Sequence, residues 1–220
     1  MTGQEKKMKV LCLHGFRTSG GFLRKQISKW DPSIFQHFQL DYPDGIFLAG
    51  GKSDIEGVFP PPYYEWFQYN KGAVLAAVLA GYQAQGQVLK DHPPIKFLVS
   101  ISGSMFRDPS ICGIAYRDPI KVKSVHFIGE KDWLKLPSED LASAFDNPLV
   151  LRHPQGHTVP RLDEGAVKQL SEWTESIFRS NLANDHASRP GSVESNTSSI
   201  EQGATQTNSI ISVEDVSASA

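Results

Sequence analysis

Residues 8–20 read MKVLCLHGFRTSG: a short apolar run, Val10-Leu11-Cys12-Leu13, stops at His14-Gly15 and opens into a polar loop. The run alternates poorly between apolar and polar residues, as a strand buried on both faces of a mostly parallel sheet does. The break at His14-Gly15 puts backbone N–H groups at the carboxyl end of that strand, where open α/β sheets bind their ligands. Alone, the stretch is a first strand and its turn. Two later stretches give it chemical meaning.

On either side of this stretch the chain sets broad limits. Its 220 residues fit one ordinary domain with some excess. The net charge of −2 leaves no dominant basic patch, which argues against a nucleic-acid or membrane-surface role. The start, MTGQEKKMKV, lacks the apolar segment of a secretory signal, and no run approaches membrane-spanning length. Cys12 and Cys112 are the two cysteines. With Cys12 in a buried strand they read as reduced thiols of a cytoplasmic protein, the nucleus remaining open as a location.

After the first loop, Gly21–Trp30 spaces Phe22, Ile27 and Trp30 as a helix does, and Asp31-Pro32 ends it, because the residue before proline is pushed out of the α region. Phe35–Asp41 reads as a second strand, with Phe38 and Leu40 on one face. Tyr42–Gln68 carries four glycines, the run Pro60-Pro61-Pro62 and then Tyr63, Tyr64, Trp66 and Phe67. It is an irregular excursion whose aromatics either line an apolar substrate cleft or anchor the loop on the core. Gly51-Lys52-Ser53 imitates the end of a phosphate-binding loop. The glycine that motif needs upstream is Ile46, and the DIEGVFPPP that follows forms no helix, so the nucleotide reading is rejected.

Gly72–Leu89 is an alanine-rich helix that predicts close approach to a sheet. Strand-like runs follow at Ile95–Ile101, Val122–Ile128 and Leu149–Leu151, with a short helix over Ser138–Phe145 and a last one from about Leu162 to Phe178. The alternation predicts an α/β fold: a mostly parallel sheet flanked by helices over residues 8–180. Residues 181–220 are rich in Ser, Thr, Asn, Gln and Ala, without aromatics, and read as a disordered polar tail. Within it, Ile210-Ile211-Ser212-Val213 is an apolar patch suited to pairing with a partner.

Two strand-end turns carry chemistry. Val122–Ile128 runs into Gly129-Glu130-Lys131-Asp132, and Leu149–Leu151 runs into HPQGHTVP, residues 153–160. An Asp after one strand and a His after the next, late in the chain, is the order of acid and base in α/β-hydrolases. A serine hydroxyl is a weak nucleophile until an imidazole takes its proton, and a buried carboxylate fixes that imidazole's tautomer and stabilises its charge. The loop after the first strand would supply an oxyanion-hole N–H from around Phe16 or Arg17.

These motifs, LCLHGFRTSG, PPPYYEWFQ, GAVLAAVLAGYQAQG, VSISGS, FIGEKDWLKLPSE and HPQGHTVP, resemble the family of serine hydrolases called FSH, and plant-type members in particular. This family of small α/β-hydrolases includes the ovarian-cancer-associated hydrolase. The resemblance covers nearly all of residues 8–178. It implies an esterase or thioesterase acting on small acyl esters without a metal or organic cofactor. By motif it assigns Asp132 as the acid, His157 as the base, and His14, Gly15 and Phe16 as the oxyanion loop.

One part of the family pattern is missing. Members carry a strand and an elbow, GFSQGA, directly before the alanine-rich helix, and the elbow holds the nucleophile on a strained turn. Here Phe67-Gln68-Tyr69-Asn70-Lys71-Gly72-Ala73 stands there instead. Laid over the elbow, Asn70 takes the serine position, Lys71 that of the second oxyanion donor and Gln68 that of the first glycine. No G-x-S-x-G occurs in the chain. About one strand-plus-helix unit, ~30 residues, is absent between EWFQ and the helix.

Among other serines, Ser19, Ser28, Ser33 and Ser53 precede the helix without an elbow around them. Ser100, Ser102 and Ser104 close the following strand, outside the nucleophile's place in this architecture. The sequence therefore predicts an inactive or very weak hydrolase, with a non-catalytic ligand- or protein-binding role as the alternative. It also predicts a sheet weakened by the loss of a central strand.

Overall fold

The computed structural model describes residues 7–66, 75–187 and 207–213. Its centre is a six-stranded parallel sheet. Strand β1 (Met8–Leu13) is followed by helix α1 (Gly20–Ile27) and strand β2 (Phe38–Asp41). A small antiparallel hairpin, β3 (Phe47–Leu48) and β4 (Tyr64–Glu65), belongs to the long excursion. Helix α2 (Leu75–Ala84), strand β5 (Phe97–Ile101), helix α3 (Pro109–Ala115), strand β6 (Lys123–Gly129), helix α4 (Lys135–Ser143), strand β7 (Leu149–His153) and helix α5 (Glu164–Ala187) follow. The chain returns to the sheet in strand β8 (Thr207–Val213), and the spatial order is β2-β1-β8-β5-β6-β7.

The local reasons are conventional. The Ser19 side chain caps α1 by accepting the Phe22 N–H at 3.1 Å, and Asp31 caps a 3-10 turn over Pro32–Phe35 by accepting from Ser33 N at 2.9 Å. That turn delays the second strand, which begins at Phe38 rather than Phe35 because Pro32 is pre-set for a helical first turn. Helix α4 starts at Lys135, earlier than Pro137-Ser138 suggests, since proline is tolerated in a first turn whose N–H groups lack partners anyway. Helix α2 ends at a turn through Gly86, whose φ of +65° suits a residue without a Cβ. The start of that helix expected at Gly72 lies outside the described residues.

Two apolar layers cover the sheet. On one face Phe22, Leu23 and Ile27 of α1 and Leu170, Ile177 and Phe178 of α5 pack on Val10, Phe38, Phe97, Val99, Val125 and Phe127. On the other, Ala76, Ala77 and Ala80 of α2 and Leu141 of α4 pack on Leu13 and Leu98. Strand β5 is buried throughout, consistent with a central strand of a covered parallel sheet.

The polar C-terminal stretch lies largely outside the described residues, which include 181–187 and 207–213 of it. Helix α5 runs on through residues 181–187, and Thr207–Val213 enters the middle of the sheet. It pairs in parallel with β1 (Leu11 opposite Ile210, Leu13 opposite Ser212) and with β5 (Phe97 opposite Ser209, Ile101 opposite Val213). The physical reason is the gap in the sheet: β1 and β5 are not neighbours, and each has a buried inner edge needing hydrogen bonds.

Candidate active site

Because every strand of the main sheet runs the same way, the loops after β1, β5, β6 and β7 emerge at one edge. His14, Ser102, Asp132 and His157 all lie there. Gly129 closes β6 and must be glycine for packing reasons: a Cβ on it would meet the Gly156 carbonyl oxygen at 2.6 Å and that of Gln155 at 2.7 Å. The close approach lets Glu130 N donate to His153 O at 2.8 Å and Lys131 N to Gln155 O at 3.2 Å. From the other side, Trp30 Nε1 donates to Pro160 O at 2.8 Å. The loop carrying His157 is thus fixed at both ends.

The outcome is a buried Asp132–His157 pair. His157 Nδ1 donates to Asp132 Oδ1 at 2.9 Å and lies 3.0 Å from Oδ2, with both side chains almost fully enclosed. Asp132 Oδ1 also accepts the Leu134 N–H at 2.7 Å. Burial alone would raise the Asp132 pKa, but hydrogen bonds from His157 and the Leu134 N–H, with the Ser102 hydroxyl close by, hold it below the ordinary carboxylate value. An ionised Asp132 places the imidazole proton on Nδ1 and leaves the Nε2 lone pair as the base. His157 Nε2 is buried and has no hydrogen-bond partner among the described residues. A hydroxyl brought within ~2.6–3.2 Å of it would be positioned for proton transfer.

Sequence reasoning set Ser102 aside as a nucleophile. The structure gives it a different place. It has φ +54°, a left-handed conformation uncommon for serine, and its buried hydroxyl lies beside Asp132 without a hydrogen-bond partner among the described residues. Ser102 supports the acid, and the one signal for this in the sequence is a serine directly after a buried strand.

The turn after β1, expected to form the oxyanion loop, runs from His14 to Thr18. His14 Nε2 accepts the Gly45 N–H at 2.8 Å, so Nδ1 carries the proton and donates to Gly15 O at 2.8 Å. Burial lowers the His14 pKa and keeps the ring neutral, so it works as a brace. Arg17 sits at φ +51° with its guanidinium 4.6 Å from the Phe16 ring centroid. Among the described residues no group accepts from the Phe16 or Arg17 N–H, as an oxyanion hole requires.

The aromatic excursion is an anchor for this loop. Trp66 Nε1 donates to His14 O at 2.9 Å, Tyr64 N donates to Thr18 O at 2.7 Å, and Arg17 pairs with Glu65 at 2.7 Å. Tyr63 is tied back to Phe59 O. Of the residues expected around the nucleophile, Phe67, Gln68, Asn70 and Lys71 lie outside the described residues. The thiols offer no substitute: burial pushes Cys12 up to about 12 and raises Cys112. Among the described residues no group of three His, Cys, Asp or Glu side chains is placed to hold a metal ion, and no helix is long and apolar enough to cross a membrane.

A parallel sheet with a buried Asp–His pair on the loops after β6 and β7 and a glycine turn after β1 is the arrangement of an α/β-hydrolase-like fold. The profile of the family described as Serine hydrolase (FSH1) matches residues 1–71 and 69–169, and the chain belongs to that family. Among curated relatives, Esterase AAEL000016 of Aedes aegypti is 24% identical over 71% of this chain and 71% of its own length. Family of serine hydrolases 2 of Saccharomyces cerevisiae is 28% identical over 67% and 66%, respectively. Esterase OVCA2 of Xenopus tropicalis is 35% identical over 42% of this chain and 39% of its own. Of solved structures, Arabidopsis thaliana SOBER1 is 13% identical, covering 78% of this chain and 99% of that one with a TM-score of 0.48.

Proposed function

We propose that this chain is a serine hydrolase by descent that keeps the acid, the base and the oxyanion loop, lacks the nucleophile, and binds acyl esters with very weak turnover or none. The observation that carries the reading is the junction. The family match comes in two pieces that meet at residues 69–71, where the sequence has QYNKG in place of a strand and a G-x-S-x-G elbow. An asparagine at the serine position cannot be activated by His157 for acyl transfer. What remains is the smaller contribution of oxyanion donors and binding.

Ligand binding is supported by the surface beside the base. The Trp133 ring tilts over His157 with centroids 5.2 Å apart and is 68% exposed, and Leu136 nearby is 70% exposed. Two large apolar side chains held in solvent next to a buried imidazole suit an acyl chain rather than a phosphate or a nucleic acid. The free thiols support a cytoplasmic location.

The test is intact-mass detection of a fluorophosphonate adduct, with peptide mapping. This chain should give no adduct, while a version carrying a strand and a G-x-S-x-G elbow before α2 should label at the new serine and depend on His157. An adduct on a serine of the unaltered chain that is lost in His157→Ala would overturn the proposal. Saturable ester binding that persists in His157→Ala would favour the binding role over residual catalysis.

A further inference from the structure

Strand β8 lies between β1 and β5, paired in parallel with both. Without it the sheet is two pieces, β2-β1 and β5-β6-β7, joined through no hydrogen bond between β1 and β5. The inner edges it covers belong to Val10–Leu13 and Phe97–Ile101, which are buried almost throughout. Backbone groups buried there need partners. Segment Thr207–Val213 supplies them on both sides at once, in continuous parallel register over Ser209–Ser212. Small alanines of α2 sit over the same region of the sheet.

We propose that the space between β1 and β5 is a strand-acceptor site, and that residues 207–213 of this same chain are its resident occupant, added as a tethered peptide in place of a central strand. The tether permits it. Helix α5, 24 residues and about 36 Å long, begins beyond β7 and reaches the amino edge of the sheet. There His37 contacts both Glu175, at 2.9 Å, and Phe178, at a ring separation of 3.9 Å. His37 directly precedes β2, whose first residue, Phe38, lies opposite Met8 at the start of β1. Helix α5 continues past Phe178 to Ala187, and a segment as long as 188–206 can span roughly 60 Å when extended, more than enough to reach the start of β8. The covalent tether holds the segment at high effective concentration. The sequence NSIISV suits the role: β-branched, uncharged and free of proline.

This inference goes beyond the hydrolase reading and is independent of turnover. It is tested on the full-length chain by hydrogen–deuterium exchange. Amides of 207–213 should be protected about 100-fold or more, together with those of 9–13 and 97–101. Ile211→Pro should remove protection from all three segments together, since it deletes a ladder donor in the middle of the inserted strand. A specific protease site placed within 188–206 and cut after folding should leave the released segment co-eluting with the body at one to one. Exchange of 207–213 at the rate of an unstructured peptide would overturn the proposal. So would a cut segment that separates while 9–13 and 97–101 stay protected. Protection that depends on protein concentration, in a dimer, would reassign the occupant to a second copy and overturn the assignment to the same chain.

Discussion

Replacing Asp132 by Asn is the sharpest test of the buried pair. The carboxylate accepts from two buried donors, His157 Nδ1–H at 2.9 Å and Leu134 N–H at 2.7 Å, both on Oδ1. An amide keeps one acceptor oxygen and presents an NH2 group to whatever faces its other end, so it cannot reproduce the charged interaction. A hydrogen bond to a charged acceptor contributes about 1.5–3 kcal/mol, and a stranded buried donor costs about 1–3 kcal/mol. We expect a loss of about 2–3 kcal/mol at pH 7. In a domain of this size that lowers Tm by roughly 4–10 °C. The pH dependence carries the sign. Because the folded Asp132 pKa lies below its ordinary value of 3.8, its stabilisation is fully present above that pH and fades as pH falls through the folded value. Urea unfolding of the parent and Asp132→Asn chains at pH 7, 5, 4 and 3 should show a gap that is constant down to about pH 4 and then narrows. Equal stability at pH 7, or a gap unchanged at pH 3, would refute the buried charged pair.

Three further outcomes follow from the geometry. Gly129→Ala should destabilise by about 1–3 kcal/mol and, because the clash is with the backbone of 155–156, should also alter Trp133 fluorescence as the His157 loop moves. Trp66→Phe deletes the donor to His14 O at 2.9 Å and should cost about 1 kcal/mol in unfolding experiments, with faster proteolysis within the 42–66 excursion. His126 is buried against Phe145 with its pKa lowered to about 4 by burial, so unfolding takes up a proton between pH 6.5 and 4. Stability should therefore fall by up to about 3 kcal/mol as pH drops through that window, and His126→Phe should flatten the slope.

The sequence was most readable where chemistry and chain direction coincide. Apolar runs ending in Gly-Glu-Lys-Asp and in His-Pro-Gln-Gly-His mark both a strand end and a polar residue at the ligand-binding edge, and Asp132 and His157 meet there at hydrogen-bond distance. The role of the 42–66 excursion was not decided by its composition. Trp66 and Tyr63 serve a cleft or an anchor equally well until their donors find the His14 and Phe59 carbonyls. The left-handed φ of Ser102 left no mark either, since serine gives no sign of it where glycine would. Strand β8 was invisible for a different reason. A four-residue apolar patch in polar surroundings has too little local preference to declare a strand, and what makes it one is a vacancy formed by segments far away in the chain.

That vacancy also dictates when the protein can be finished. Lys9 pairs with Thr207, so β1 waits for a segment far later in the chain. During translation β1 and β2 can pair with each other, as can β5, β6 and β7, but neither group can join the other until residues 207–213 have been made. Contacts this distant in sequence are slow to form, and the two half-sheets carry open apolar edges throughout the wait.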